Sequence, residues 1–342
     1  MLNQKKQFEQ LTGGAITTSA PGDVVSGQGM PTGNMTLSNL HLGVNQNLTI
    51  GTGTTPLTDG EIILVKSIFV NSDKHGTIVE NLDGLLLHRM LQYIYGTRPQ
   101  TTAYAAASAN YFTGWDIPLA IPENAHAFRP YDSVLDLASA RLDTRVSFNT
   151  QTQALGTPGT ASSIPTVTWS GHLNYAPKES ANPLESELPL FTPVFKQRVV
   201  PISATTNQLT IPLDYSGLIY LGVGLHQRNS STFAEVTDIL VPGAKIRLEV
   251  NGVDRVLPME LRDLVSVAKT QCEVESSTAA FTFLDFFSKT GMITDAINTI
   301  GTQGSVNLYA DVVTAANREL RVGVWGLKPL NDNAKRLVQL GQ

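Results

Sequence analysis

The sequence predicts an all-β protein: two β-sandwiches in tandem, a few short helices and an extended N-terminal arm. Three observations predict it. Charged residues make up only 15% of the 342, against about 25% in typical soluble domains. Thr, Ser, Asn, Gly and Pro take their place, the residues of strands joined by turns. Apolar runs of strand length, separated by turn signals, recur from residue 60 onward. Several of these runs return in the same order in the second half of a chain that is about twice the length of one ordinary domain.

Residues 1–57 are polar and rich in Gly, Thr, Ser and Asn, and read as an arm with at most a short helix near 2–11. The first sandwich is expected over 58–177. Its opening run, 61–70 (EIILVKSIFV), has the continuous apolar, β-branched character of a strand buried on both faces. Residues 78–95 place Leu82, Leu86, Met90 and Ile94 at helical spacing, a short helix running into a strand. Strands are expected at 115–121 (WDIPLAI) and 146–150 (VSFNT). Six prolines and the acidic stretch 179–187 mark 151–193 as a long connection, with the domain junction at 178–194.

The second sandwich is expected over 195–330. Within it 245–250 (KIRLEV) alternates polar and apolar residues and meets Asn251-Gly252, a hairpin signal. Residues 258–269 (PMELRDLVSVAK) begin with proline and put Leu261, Leu264, Val265 and Ala268 on one helical face. Strands are expected again at 280–287, 305–310 and 321–326. A C-terminal tail, 331–342, follows, with Asn331, Asp332 and Asn333 capping a short helix.

The internal repeat has four marks. The run after Gly60 (GEIILVKSIF) returns after Gly217 (GLIYLGVGL), and WDIPLAI at Trp115 returns as FTFLDFF at Phe281. Asp136 and the strand at Val146 return as Asp295 and the strand at Val306. One order at nearly one spacing means two copies of one fold. The order of buried strand, short helix or hairpin, aromatic-plus-acid strand and turn-led strand resembles the double jelly-roll major capsid proteins of tailless icosahedral bacteriophages. That lineage includes the tectiviruses and adenovirus hexon. Over 58–330 the resemblance implies two jelly rolls per chain and a homotrimer whose six jelly rolls form a pseudo-hexagonal capsomer of an icosahedral shell. The implied partners are the chain itself, neighbouring capsomers, and penton or minor capsid proteins, with an internal membrane common in the lineage. The implied location is the virion, after synthesis in the host cytoplasm.

Charge and composition narrow the alternatives. A net charge of −5 argues against a general nucleic-acid binder. The single cysteine, Cys272, excludes an internal disulfide. Residues 1–10 lack the apolar stretch of a secretory leader, and no run reaches the roughly 18 apolar residues of a membrane span. Within the arm, Lys5, Lys6 and Phe8 are the candidates for an inner-face contact with anionic lipid or genome, though each lysine contributes only about 1 kcal/mol at an anionic surface.

Catalytic patterns are thin, and neither an enzyme, a cofactor, a metal nor a small-molecule substrate is expected. The six histidines are scattered, without zinc-ligand spacing, and read as surface or loop residues. Ser170 and His172 lack a nucleophile elbow and an orienting acid. The carboxylate pairs Glu185/Glu187 and Asp136/Asp143 would suit a glycosidase only at a separation that sequence does not give. Gly27/Gly29 and Gly51/Gly53 do not lie between a strand and a helix, as phosphate cradles do. Trp115 and Trp325 read as core. Trp169, in the connection, is the tryptophan to test under the alternative reading, a carbohydrate-binding or host-attachment jelly-roll protein.

Overall fold

The computed structural model describes residues 4–17, 19–31, 36–51, 53–105, 109–120, 135–136, 140–156, 161–173, 190–213, 215, 217–241, 243–274, 278–287, 296–300, 305–330, 332 and 335. Within these, the side chains of 4–8, 28–31, 136, 161 and 173 are not described. The first half of the chain holds β1 (Gln4–Thr12), β2 (Val25–Pro31), β3 (Thr36–Ile50), α1 (Gly60–Ile63), β4 (Val65–Ser72), β5 (Gly76–Leu82) and α2 (Gly84–Tyr95). It continues with β6 (Ala109–Pro118), β7 (Leu135–Asp136), β8 (Arg141–Phe148), α3 (Gln151–Leu155) and β9 (Ala161–Leu173). The second half holds β10 (Phe191–Ile202), β11 (Thr206–Pro212), β12 (Ile219–Asn229), β13 (Lys245–Val250), β14 (Val253–Glu260) and α4 (Leu261–Gln271). It ends with β15 (Phe281–Asp285), β16 (Ile297–Asn298), β17 (Val306–Val312) and β18 (Arg318–Pro329).

The strand order is the same in both halves. The first half sets β1-β9-β3-β6, with β7 on β3, against β2-β8-β4-β5. The second sets β10-β18-β12-β15, with β16 on β12, against β11-β17-β13-β14. Counted from the first strand of each half, both read 1-9-3-6 facing 2-8-4-5, and each carries its longest helix, α2 or α4, between strands five and six. This is the jelly-roll wrapping, formed twice. The two halves share one sheet. Edge strand β5 of the first pairs in parallel with edge strand β10 of the second, through Phe195 and Val79, so β2-β8-β4-β5 runs on into β10-β18-β12-β15.

Alternation decides most of the burial. In β3 the residues Leu40, Leu42, Val44, Gln46, Leu48 and Ile50 point into the first sandwich, while Asn45, Asn47 and Thr49 face out. In the second sandwich Val223 and Leu225 of β12 and Val322 and Val324 of β18 meet Ile246 and Leu248 of β13 and Leu308 of β17. Strand β12 is buried from Ile219 through Arg228 because its other face is covered as well, by helix α2 of the first half.

Several expectations are corrected. The arm over 1–57 is instead three strands of the first sandwich, β1 to β3. Its polar composition reflects a sheet with one open face and not a free tail. The run 61–70 is a short helix, α1, followed by β4, because Asp59 in a left-handed turn starts a helical turn at Gly60. The order over 78–95 is reversed: strand β5 comes first and helix α2 second, with Asp83 capping the helix through Leu86 N. The segment 151–193 contains α3 and the 13-residue strand β9, in which Pro165 is accommodated opposite Gln46. Pro258 lies in edge strand β14, and α4 begins three residues later at Leu261. The repeat is also one strand out of step at its first mark. The counterpart of β12 is β3, and that of β4 is β13, whereas β6 and β15 do correspond, as do β8 and β17. Asp295 lies outside the described residues, as does 331–342 apart from Asp332 and Lys335.

Candidate functional site: a buried ionic seam between the two sandwiches

Helix α2 belongs to the first sandwich but rests on the second. The sheet there is lined by Gly224 and Gly323, which pair across β12 and β18. A Cβ on Gly323 would collide with Met90 Sδ, and one on Gly224 would lie 2.9 Å from the Phe281 ring. Glycine at both positions lets the helix seat directly on the strands. The helix start is fixed from its own side by the Trp115 indole, which donates to Gly84 O at 2.9 Å.

Around this seat charged groups interlock across the halves. The Asp83 carboxylate caps α2, accepting from Leu86 N at 2.9 Å, and also takes Arg228 of β12 at 2.9 Å and Arg321 of β18. Arg89, two turns along, donates through Nε to Glu235 at 2.8 Å and also pairs with Asp59, which Arg98 shares. His226 Nε2 lies 2.9 Å from the same Glu235, and Thr278 donates to that carboxylate at 3.2 Å. Glu319 accepts from Arg321 at 2.7 Å. Nearer the surface Lys196 meets Glu80 at 2.8 Å, and the Gln197 amide bridges Asn81 O and Asp83 N.

The electrostatics follow from burial opposed by pairing. Burial pushes the Asp83 carboxyl up, but Arg228 and Arg321 outweigh it and hold it below its usual value. Burial likewise pushes Glu235 up, and the His226 hydrogen bond and Arg89 bring it well below the carboxylate range. Burial lowers His226 despite Glu235, so the neutral ring donates through Nε2 and leaves Nδ1 bare. Burial and the neighbouring Arg89 lower His88 to about 3, so it too is neutral, set edge-on to Trp115. Most of these charges are paired across the two halves, while Arg228 Nε and Nη2 and His226 Nδ1 are buried without a hydrogen-bond partner. What the network does is hold one sandwich at a fixed attitude to the other.

The residues singled out from sequence lie elsewhere. Lys5 and Lys6 are in β1, paired with His172 and Gly171 of β9, and Phe8 falls at the irregularity between Gln7 and Glu9. The side chains of these three residues lie outside the described residues. Trp169 is 1% exposed in β9, so it is core and not a binding platform. Of the histidines, most of which the sequence places at the surface or in loops, His88 and His226 are buried within α2 and β12. His75 is buried in the turn between β4 and β5, and His126 lies outside the described residues. Gly27 lies in strand β2, and Glu185 and Glu187 are outside the described residues. Sequence reading missed the seam, although a signal existed. His88-Arg89 and His226-Gln227-Arg228 interrupt two of the most apolar stretches of the chain, 85–91 and 218–228, where charge survives only if paired.

With the fold and seam described, the class follows: the chain carries the double jelly-roll fold of viral major capsid proteins. It is similar over 95% of its length, and 96% of the other's, to the major capsid protein of STIV, with a TM-score of 0.67 at 12% identity. Sulfolobus turreted icosahedral virus is matched again in its atomic structure, over 99% of this chain and 96% of that one, with a TM-score of 0.61 and 13% identity. The major capsid protein P2 of bacteriophage PM2 matches over 95% of this chain and 98% of its own, with a TM-score of 0.56 and 10% identity. No family model matches the chain, and no curated relative does.

Proposed function

We propose that the chain is the major capsid protein of an icosahedral virus and assembles as a trimer into pseudo-hexagonal capsomers. The observation that carries this reading is the duplication itself: one strand order, formed twice and joined edge to edge in a continuous sheet. Two like blocks per chain let three chains present six, which tile a flat facet with closed heterologous contacts. We set the division between the blocks between β9 and β10, close to the 178–194 junction read from the sequence, which runs four residues into β10. The partners are then the chain itself, neighbouring capsomers and minor virion proteins, and the location is the virion. Lys5, Lys6 and Phe8 remain the inner-face candidates, now on a sheet-edge strand. Sedimentation with anionic vesicles tests them, and binding that survives charge reversal of both lysines removes them. The main test is native mass with negative-stain images. A species of about 111 kDa, three times the 36.9 kDa chain, with a hexagonal outline supports the reading, and a monomer at all concentrations refutes it.

A further inference from the structure

A groove of about 700 Å³ opens at the end of the second sandwich where β10 enters and β18 leaves, beside β5 of the first. Small-molecule sites have volumes of about 300–1,000 Å³ and favour the mouths of β-sandwiches and the boundaries between domains. This groove is at both. Its floor is apolar, formed by Val194 and Leu218 of the second core, Ile300 of the first, and the half-buried Pro329.

The rim is cationic. Lys196 of β10, Lys328 of β18 and Lys335 line the groove against a single carboxylate, Glu80 of β5. Three ammoniums around one cavity run against the net charge of −5 that the whole chain carries. Their present partners hold them loosely. Lys196 Nζ lies 2.8 Å from Glu80, which is half exposed, and 4.9 Å from the centre of the Tyr215 ring. That ring is fixed in turn by its hydroxyl, which donates to Gln197 O at 2.8 Å. Lys335 meets Asp332 at 2.9 Å, a carboxylate 84% exposed. The exposed Lys328 pairs with no carboxylate among the described residues, and its Nζ reaches over Gly76 at the start of β5. Exposed pairs of this kind contribute at most about 1 kcal/mol, so an incoming anion displaces them at small cost. A bare inorganic anion would leave the floor wet. A ligand with an apolar tail beside its charge covers rim and floor together.

We propose that this groove binds an anionic amphiphile, its phosphate held by Lys196, Lys328 and Lys335 and its tail laid on Val194, Leu218 and Ile300. Glu80 is the competing anion, since it occupies Lys196 when the groove is empty. The groove is built by one chain, so the proposal stands or falls apart from the capsomer reading.

The test is calorimetric titration of the full chain with dihexanoyl phosphatidylglycerol, kept below its micelle-forming concentration. Two reference probes each lack one half of the ligand: glycerol 3-phosphate has no tail, and dihexanoyl phosphatidylcholine has no net charge. One phosphatidylglycerol per chain is expected, bound at least about tenfold more tightly than either reference. Lys328→Glu with Lys335→Glu should weaken it at least about tenfold, and Lys66→Glu with Lys245→Glu, exposed lysines outside the groove, less than about twofold. Glu80→Gln frees Lys196 and should tighten binding about threefold. Unfolding midpoints check that the variants stay folded. Phosphatidylcholine bound as tightly as phosphatidylglycerol overturns the lysine rim, and glycerol 3-phosphate bound as tightly overturns the apolar floor. Equal losses in the two double variants, or no loss in either, overturn the groove as the site. Weaker binding by Glu80→Gln overturns the competition for Lys196.

Discussion

At the scale of single residues the seam separates ions that matter from ions that do not. Asp83 is buried between two guanidiniums and a helix terminus, so Asp83→Asn leaves the buried Arg228 without its carboxylate and Arg321 with Glu319 alone. It is expected to cost about 3–5 kcal/mol in urea unfolding. Lys196→Ala removes a half-exposed pair on the same junction and is expected to cost at most about 1 kcal/mol. Equal losses for the two would mean that burial does not govern the seam. As pH falls below neutrality, acid acts first through the histidines. His88 is lowered to about 3, so the unfolded chain takes up its proton first. Its contribution is fully present above about pH 6.5 and is lost as pH falls toward 3, at up to about 1.4 kcal/mol per pH unit. Asp83, lowered by its arginines, keeps its contribution down through its ordinary value and loses it only in stronger acid. In His88→Phe the slope of stability between pH 6 and pH 4 should fall by about that 1.4 kcal/mol per unit. An unchanged slope would place the acid sensitivity elsewhere.

At the scale of elements the glycine seat decides how α2 lies. Gly323→Ala puts a methyl against Met90 and Leu86 and is expected to destabilise by about 1–3 kcal/mol. In a Met90→Ala background the methyl has room, so the second loss should be smaller by about 1 kcal/mol or more. Strict additivity by chemical denaturation would mean the helix does not rest there. The same elements show what was legible in sequence. Strands β13, β15, β17 and β18 were readable because each alternates or is bounded by turn residues within one sandwich. Strand β3 alternates just as strictly, Leu40 to Ile50, yet its open face of Asn, Thr and His made the segment read as an arm. Strand β12 was matched to the wrong partner because α2 covers its second face, turning an alternating strand into a continuous apolar run. The seam was illegible for a related reason. Arg89 and Glu235, or Asp83 and Arg321, come together only through the contact of two domains, and no local period records that.

At the scale of the whole molecule the two jelly rolls should behave as one body. A single parallel backbone pairing, Phe195 with Val79, joins their sheets, so most of the coupling falls on α2 and its crossing ion pairs. Asp83 and Arg89, at the cap and within the body of one helix, bind neighbouring groups of the second sandwich. Arg228 and Arg321 lie on the paired strands β12 and β18, and Glu235 is bridged to Arg228. Loosening one sandwich therefore exposes buried charge on the other, and the cost of that exposure links their unfolding. Calorimetry of the unaltered chain should show one transition whose calorimetric and van't Hoff enthalpies agree. In Asp83→Asn combined with Glu235→Gln the buried crossing pairs lose their anions while each sandwich keeps its own core. The single transition is then expected to split in two, with the hexagonal outline of the particles lost before either sandwich melts. A double variant that still unfolds in one step would show that the shared sheet alone couples the halves, and that the ionic seam sets their orientation without binding their stabilities together.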